Sequence, residues 1–186
     1  MKKLLVLIMS LLMCLSLVAC NTKKATVSID VPSFMYEYGE ELSEEYLKEL
    51  SKEEGFESMV LNDDSTLTIT MTQDKHKEIL AELAKEIDEE LKMIVDDEEA
   101  AFTKIETKNE YTEYNAYLST EELGYYESFA SITFILFGST YSLYNGKNPV
   151  PLTIRYYNSN NELLEEYSES IAFEEMVDEF AGIFAE

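Results

Sequence analysis

The sequence predicts an α+β fold in which hairpins build an antiparallel sheet and helices pack on one face of it. Short segments alternate between apolar and polar residues and are separated by turn residues, as the strands of hairpins are. Residues 73–96 repeat their apolar positions every three or four residues, which is the helical period. Apolar residues make up 46 % of the chain and aromatic residues 12 %, so a folded core is expected despite the acidic composition.

Strands are predicted by alternation and by the turns that separate them. Residues 25–31 place Val27, Ile29 and Val31 on one face, and Pro32 ends the strand because proline has no N–H for the ladder. Three hairpins follow, each with polar or turn-forming residues between two strand segments. Their segments are 56–61 with 66–72, 102–107 with 111–118, and 150–157 with 162–167.

Helices are predicted by apolar period and by capping residues. Ser43 can cap a helix that ends before Gly55, and Thr72 can cap the next one. The predicted helices are 43–54, 73–96, 120–144 and 173–184. Together with the hairpins they give a hairpin-then-helix unit three times, over 56–96, 102–144 and 150–184.

The third helix carries two further expectations. Ser119 and Glu122 have capping-box spacing and predict its start, and Gly124 and Gly138 are expected to break or kink it. Residues 128–146 within this segment are uncharged and nearly long enough to span a bilayer. Their many serines and threonines favour a core helix, with a membrane or partner surface as the alternative.

The charge excludes some partners. The chain carries 14 basic and 38 acidic residues, a net charge of −24. Without Lys2 and Lys3, which precede residue 20, twelve basic residues remain against 38 acidic ones, a balance of −26. This balance argues against nucleic-acid binding, which needs a basic footprint, and against lying flat on an anionic bilayer.

The N-terminal residues have the layout of a secretory signal peptide. Lys2 and Lys3 precede an uncharged apolar run over 4–19, which ends in Leu17-Val18-Ala19-Cys20. These last four residues resemble the lipobox of bacterial lipoproteins. The resemblance implies a diacylglycerol thioether on Cys20, cleavage before it, acylation of the new amine, and attachment to the outer face of the cell membrane.

Two other interpretations of this segment stay open. A transmembrane anchor is one, although an apolar run of about sixteen residues is short of the roughly 20 that span a bilayer. Signal-peptide cleavage that leaves a free cysteine is the other. The predicted organisation is a signal peptide at 1–19, a lipidated anchor and linker at 20–24, and a single extracytoplasmic α+β domain at 25–186.

The rest of the chain is similar to small uncharacterised lipoproteins of Gram-positive bacteria. The similarity lies in the opening segment, residues 26–32, and in the run at 61–72. It implies an exported, membrane-held protein and supplies no catalytic or binding residues.

No motif indicates a reaction, a cofactor or a metal. His76 is the single histidine, no cysteine follows Cys20, and neither a zinc motif nor a phosphate-binding glycine loop is present. We therefore expect no catalytic residues, no cofactor and no metal site. Clusters of acids are expected to be solvated surface; a weak cation site and a hydrolytic acid pair are the alternatives.

Tyrosines suggest a candidate contact surface, because tyrosine is enriched at protein interfaces. Ordinary packing at the edge of the core is the alternative. The candidate residues are Tyr111, Tyr114, Tyr117, Tyr125 and Tyr126.

The sequence thus predicts a membrane-anchored extracytoplasmic lipoprotein with a non-enzymatic binding or accessory role and an envelope protein as partner. A small-ligand or cation-binding lipoprotein associated with a transporter is the alternative, and an acid-pair hydrolase is a more distant one.

Overall fold

The computed structural model of the chain describes residues 25–35 and 42–172. The predicted signal peptide, Cys20 with its linker, and the predicted helix at 173–184 lie outside the described residues. The fold class is α+β, as predicted. The described residues fall into two compact units, divided between Leu83 and Ala84, which we describe separately as unit one and unit two.

The described helices and strands follow one another in this order: β1 Thr26–Val31, α1 Glu44–Glu53, β2 Ser58–Leu61, β3 Leu67–Thr72, α2 Gln73–Asp96, β4 Phe102–Lys108, β5 Glu113–Leu118, α3 Tyr125–Tyr144, β6 Val150–Tyr157 and β7 Leu163–Ile171. A short 3-10 turn at Ser33–Met35 follows β1. The boundary between the two units falls within α2.

Unit one contains a three-stranded antiparallel sheet with the order β1-β3-β2. The predicted hairpin of 56–72 is confirmed, with Leu61 opposite Leu67 at the closed end. β3 alternates strictly, so that Leu67, Ile69 and Met71 are buried while the threonines between them are half-buried. This alternation is what a sheet with one covered face requires.

The ends of α1 and α2 are set by the residues that the sequence indicates. The Ser43 hydroxyl accepts a hydrogen bond from the amide of Tyr46 at 3.2 Å. Gly55 has a φ of +75°, and the amide of Phe56 donates to the carbonyl of Ser51 at 2.7 Å. This is the six-residue closure of a helix that ends in a left-handed glycine. The Thr72 hydroxyl accepts from the amide of Lys75 at 3.2 Å.

Unit two contains a four-stranded mixed sheet with the order β4-β5-β6-β7. The two hairpins, β4 with β5 and β6 with β7, are antiparallel as predicted, but β5 and β6 are parallel. The prediction of one purely antiparallel sheet is therefore wrong. The reason is α3, which connects β5 to β6: a helical crossover returns the chain to the same end of the sheet and permits parallel pairing.

The start of α3 differs from the prediction. The helix begins at Tyr125 with Gly124 as its N-cap, and not at residue 120. The Ser119 hydroxyl, expected to cap the helix, donates instead to the carbonyl of Ala101 at 3.2 Å. Glu121 accepts from the hydroxyl of Ser159 at 2.7 Å. These tertiary bonds hold the segment before α3 out of the helix.

The first turn of α3 is fixed by a buried carboxylate. Glu127 accepts a hydrogen bond from the amide of Ala101 at 2.7 Å. Its carbonyl accepts the hydroxyl of Tyr156 at 3.2 Å, and that hydroxyl also lies 2.6 Å from Ser131. α3 is thereby tied to the residue that precedes β4 and to β6, the strand that follows the helix in sequence.

The uncharged run at 128–146 forms a core helix, as favoured. Phe134 is fully buried, stacks on Tyr114 with ring centroids 4.8 Å apart, and meets the edge of Phe102 at 6.4 Å. Among the described residues, no helix has both the length and the apolar character needed to cross a membrane.

Gly138 does not break α3, which is continuous through it. A Cβ at this position would lie 2.4 Å from the carbonyl oxygen of Tyr111 and 2.9 Å from Cδ1 of Leu152. Glycine is therefore required by the close approach of the turn before β5.

We predict that Gly138→Ala destabilises the protein by about 1–3 kcal/mol, the usual cost of overpacking a core. A loss of stability would be the opposite of what helix propensity alone predicts, because alanine is normally more favourable than glycine inside a helix by about 1 kcal/mol. Urea unfolding measures the change. The reverse substitution Ala81→Gly, at an exposed position of α2, is the control and should cost about 1 kcal/mol. A stabilising Gly138→Ala would contradict the close approach.

We also predict a loss of stability in alkali that depends on Tyr156. Burial raises the pKa of this phenol to about 12, whereas in the unfolded chain it is about 10. Between these values the unfolded chain loses the proton and the folded chain keeps it. The contribution of Tyr156 to the free energy of unfolding is therefore fully present below pH 10. It falls by about 2 kcal/mol as the pH rises towards 12.

Urea unfolding at pH 9 and pH 11 measures this loss. Tyr156→Phe should make the decline with pH shallower, and Tyr125→Phe, at an exposed ring, should leave it unchanged. Equal declines in all three proteins would exclude Tyr156 as a source of the pH dependence.

Candidate functional site

The outward side of the four-stranded sheet in unit two carries both aromatic and charged side chains. Because side chains alternate across a strand, the register assigns one set of residues to the side opposite α3. We call this set the outer sheet face. Its members are Lys104, Glu106, Lys108, Glu113, Asn115, Tyr117, Pro151, Thr153, Arg155, Tyr157, Leu163, Glu166, Ser168 and Ser170.

One row across this face is aromatic. Tyr117 lies opposite Tyr157 on the parallel pair, and their rings stack with centroids 5.0 Å apart and planes 17° from parallel. The ammonium of Lys104 lies 5.6 Å from the centre of the Tyr117 ring, and Leu163, 52 % exposed, lies opposite Tyr157 on β7. Stacked cross-strand rings stabilise the sheet and form an apolar ridge with polar tips.

The next row is held together by the single arginine of the chain. Arg155 donates through Nη1 to Glu113 at 2.8 Å and through Nε to Glu166 at 2.6 Å. It thus connects the strands on both sides of its own. Asn115, its register partner, is buried. A planar guanidinium suits two directed bonds of this kind.

The outer sheet face is electrically neutral. It carries three basic residues, Lys104, Lys108 and Arg155, and three acidic ones, Glu106, Glu113 and Glu166, within a chain of net charge −24. Lys104 pairs with Glu106, and its hydrogen bond lowers the pKa of that carboxyl. An approaching protein therefore meets little net repulsion here, unlike at the acidic remainder of the surface.

A groove of about 490 Å³ adjoins the face where β5 and β6 begin. Its walls include the oppositely charged Glu110 and Lys147, which are in contact with each other. The amide of Asn145 also donates to Glu110, at 2.8 Å. The lining is Asn109, Glu110, Thr112, Glu113, Lys147, Pro151 and Thr153.

The turn that lines the groove is strained. Asn109, Glu110 and Tyr111 have φ values of 52°, 60° and 62°, and a left-handed conformation costs about 1–2 kcal/mol for each residue with a side chain. Contacts on both sides hold the turn. Asn109 donates to Glu113 at 2.9 Å, and the Tyr111 hydroxyl donates to Asp88 at 3.0 Å.

The five tyrosines of the predicted contact surface do not share one surface. Tyr114 is 0 % exposed and belongs to the core. Tyr111 is half-buried against Tyr141, with ring centroids 4.9 Å apart, and burial with the bond to Asp88 raises the pKa of its hydroxyl. Tyr117 lies on the outer sheet face. Tyr125, 82 % exposed, and Tyr126, 53 % exposed, lie at the start of α3.

The sequence did not identify Arg155, Tyr157 or Glu166 as surface partners of Tyr117. The alternation of Arg155 and Tyr157 with the buried residues of β6 was a usable signal for the side on which these two lie, whereas β7 has only Ile171 buried and gives no such signal for Glu166. Their proximity to Tyr117 depends on the parallel pairing of β5 and β6, which joins segments about 40 residues apart and leaves no local pattern.

Within residues 25–35 and 42–172, no group of three or more histidine, cysteine or acidic side chains is placed to hold a metal ion. The acidic run after α2 folds on itself, with Asp97 accepting from the amide of Glu99 at 2.9 Å. Comparison with known proteins gives no match, since no family model, no curated protein and no solved structure is significantly similar to this chain.

We predict that Arg155→Met lowers the free energy of unfolding by about 1–2 kcal/mol, because the partly buried Glu113 loses a charged donor. Arg155→Lys should restore only part of this, since an ammonium cannot make the two directed bonds of the guanidinium. Urea unfolding measures both. Lys85→Met, which breaks the exposed pair with Glu89, is the control, expected to cost about 0.3–0.5 kcal/mol. An Arg155→Met effect no larger than this would contradict the bridging role.

Proposed function

We propose that this protein is a lipid-anchored, extracytoplasmic protein of the cell membrane. In this role it has no enzymatic activity and binds an envelope protein through the outer sheet face. Support for the location comes from the lipobox-like Leu17-Val18-Ala19-Cys20 at the end of an apolar run. A diacylated cysteine holds a protein stably, since each buried methylene contributes about 0.8 kcal/mol.

The observation that carries the binding role is the neutral, ion-paired outer sheet face with its aromatic row. A protein of net charge −24 repels most acidic surfaces, and a neutral face is where contact costs least. Stacked Tyr117 and Tyr157 supply the rigid aromatic area that interfaces favour. The proposal involves no nucleic acid, because the chain lacks a basic footprint.

A second candidate function is the binding of a small polar ligand in the groove, as in a lipoprotein associated with a transporter. The groove has the volume of ordinary small-molecule sites, about 300–1,000 Å³. Its walls offer both an ammonium, on Lys147, and carboxylates, on Glu110 and Glu113. A ligand that carries both charges would find a partner for each by separating Lys147 from Glu110, which are in contact.

The anchor is tested by membrane fractionation. We expect the native protein to partition with membranes and Cys20→Ala to appear in the soluble fraction. Lys23→Ala, next to the proposed lipid, is the control and should stay with membranes. If the Cys20→Ala protein remained wholly in the membrane fraction, the lipid anchor would be excluded.

The contact surface is tested by cross-linking on intact cells, followed by affinity capture and quantification of what is recovered. We expect Tyr157→Ser, with folding verified by circular dichroism, to reduce recovery of the main cross-linked protein at least fivefold. Tyr125→Ser removes a more exposed tyrosine, which lies outside the face, and should leave recovery unchanged. Equal recovery from both variants would exclude the outer sheet face as the contact surface.

A further inference from the structure

The strand β7 forms one edge of the sheet in unit two. It pairs with β6 on one side, and no described strand pairs with it on the other. Its register is regular from Ile171 to Glu165, with an irregularity only beyond that point. An edge strand has main-chain groups that point away from the sheet and can pair with an additional strand.

The two edges of this sheet are protected differently. The opposite edge, β4, carries Lys104 and Lys108 and an irregularity between Phe102 and Lys104. Lysines and bulges are common devices against pairing of edges with other chains. β7 is longer, nine residues, and contains no lysine, arginine or proline.

What β7 carries instead is negative charge. Glu165 and Glu169 are exposed along it, Glu166 is paired with Arg155, and residues 159–171 include no basic residue. Like charges on facing strands are unfavourable, whereas opposite charges are favourable. A second copy of this acidic chain is therefore repelled at this edge, and a basic strand is attracted.

We propose that β7 is a docking edge for an extended basic segment of the partner protein, which adds a fifth strand to the sheet. This inference rests on the proposed binding role and specifies the chemistry of the partner. The added strand gains main-chain hydrogen bonds to β7, and its basic side chains lie beside the glutamates. It also extends the outer sheet face, since Glu166, Ser168 and Ser170 belong to both.

The probe is a twelve-residue peptide that alternates lysine and valine, added to the full-length protein in zwitterionic detergent. A peptide of the same composition with alternating L and D residues is the control, because it has the same charge but cannot form a regular strand. Fluorescence anisotropy measures affinity, and amide hydrogen exchange locates binding. We expect the L peptide to bind at least tenfold more tightly than the control and to slow exchange within residues 163–171.

Matched charge variants distinguish binding at β7 from general attraction between a basic peptide and an acidic protein. Glu165→Lys with Glu169→Lys should weaken binding of the L peptide at least tenfold. Glu98→Lys with Glu99→Lys makes the same change of charge in an exposed loop and should weaken it less than twofold. Equal weakening by both pairs, or equal binding of both peptides, would reduce the interaction to general electrostatics and overturn the proposal.

Two further outcomes would also overturn it. Slowed exchange elsewhere, without change in residues 163–171, would place the peptide away from β7. A dimer of the protein alone, protected at these same amides in sedimentation and exchange measurements, would assign the edge to a second copy. None of these measurements uses the lipid anchor or the native partner, so failure here is distinguishable from failure of the fractionation and capture experiments.

Discussion

The parallel pairing of β5 with β6 is the constraint on which the rest of unit two depends. It places Glu113 beside Arg155 and Tyr117 beside Tyr157, and so creates both the ion-paired row and the aromatic row. It also leaves β4 and β7 as the two edges of the sheet. An antiparallel connection at this point would have produced a different set of neighbours from the same strands.

This pairing brings α3 close to the turn before β5, and two features of the sequence make the close approach possible. The crossover helix α3 must pass the turn before β5, and Gly138 allows the carbonyl of Tyr111 to come within the space that a side chain would occupy. The turn itself is left-handed over three consecutive residues. Such strain persists only where neighbouring contacts compensate for it, and the bond of Tyr111 to Asp88 and the contact of Glu110 with Lys147 are contacts of that kind.

The sequence correctly predicted those elements that depend on local patterns. The hairpins and the helix at 73–96 follow from alternation, turn residues and caps that act within a few positions, and Thr72 caps the helix where it was expected to. The parallel pair could not be predicted, because it joins distant segments. The start of α3 was misplaced because Glu121 is bonded to a loop 38 residues further on. Of the tyrosines, Tyr117 lies on the proposed surface, whereas Tyr114, three positions earlier on the same strand, lies on the buried face. Strand alternation places these two residues on opposite faces, so it was a usable signal against grouping them.

The distribution of charge gives the two proposals a common physical basis. In a chain of net charge −24, an acidic group left without a cation repels other acidic surfaces. The outer sheet face is neutral because Lys104, Lys108 and Arg155 balance its three glutamates, and two of these cations are paired with them. This balance of charge does not extend along β7. Arg155 is bonded to Glu166, whereas Glu165 and Glu169 lie on the other side of the strand. The neutral outer sheet face allows a partner to approach without net repulsion, and the negative charge of β7 favours a basic partner. Specificity of this kind requires both an attractive and a repulsive element. The carboxylates of β7 provide both, because they attract a basic strand and repel an acidic one.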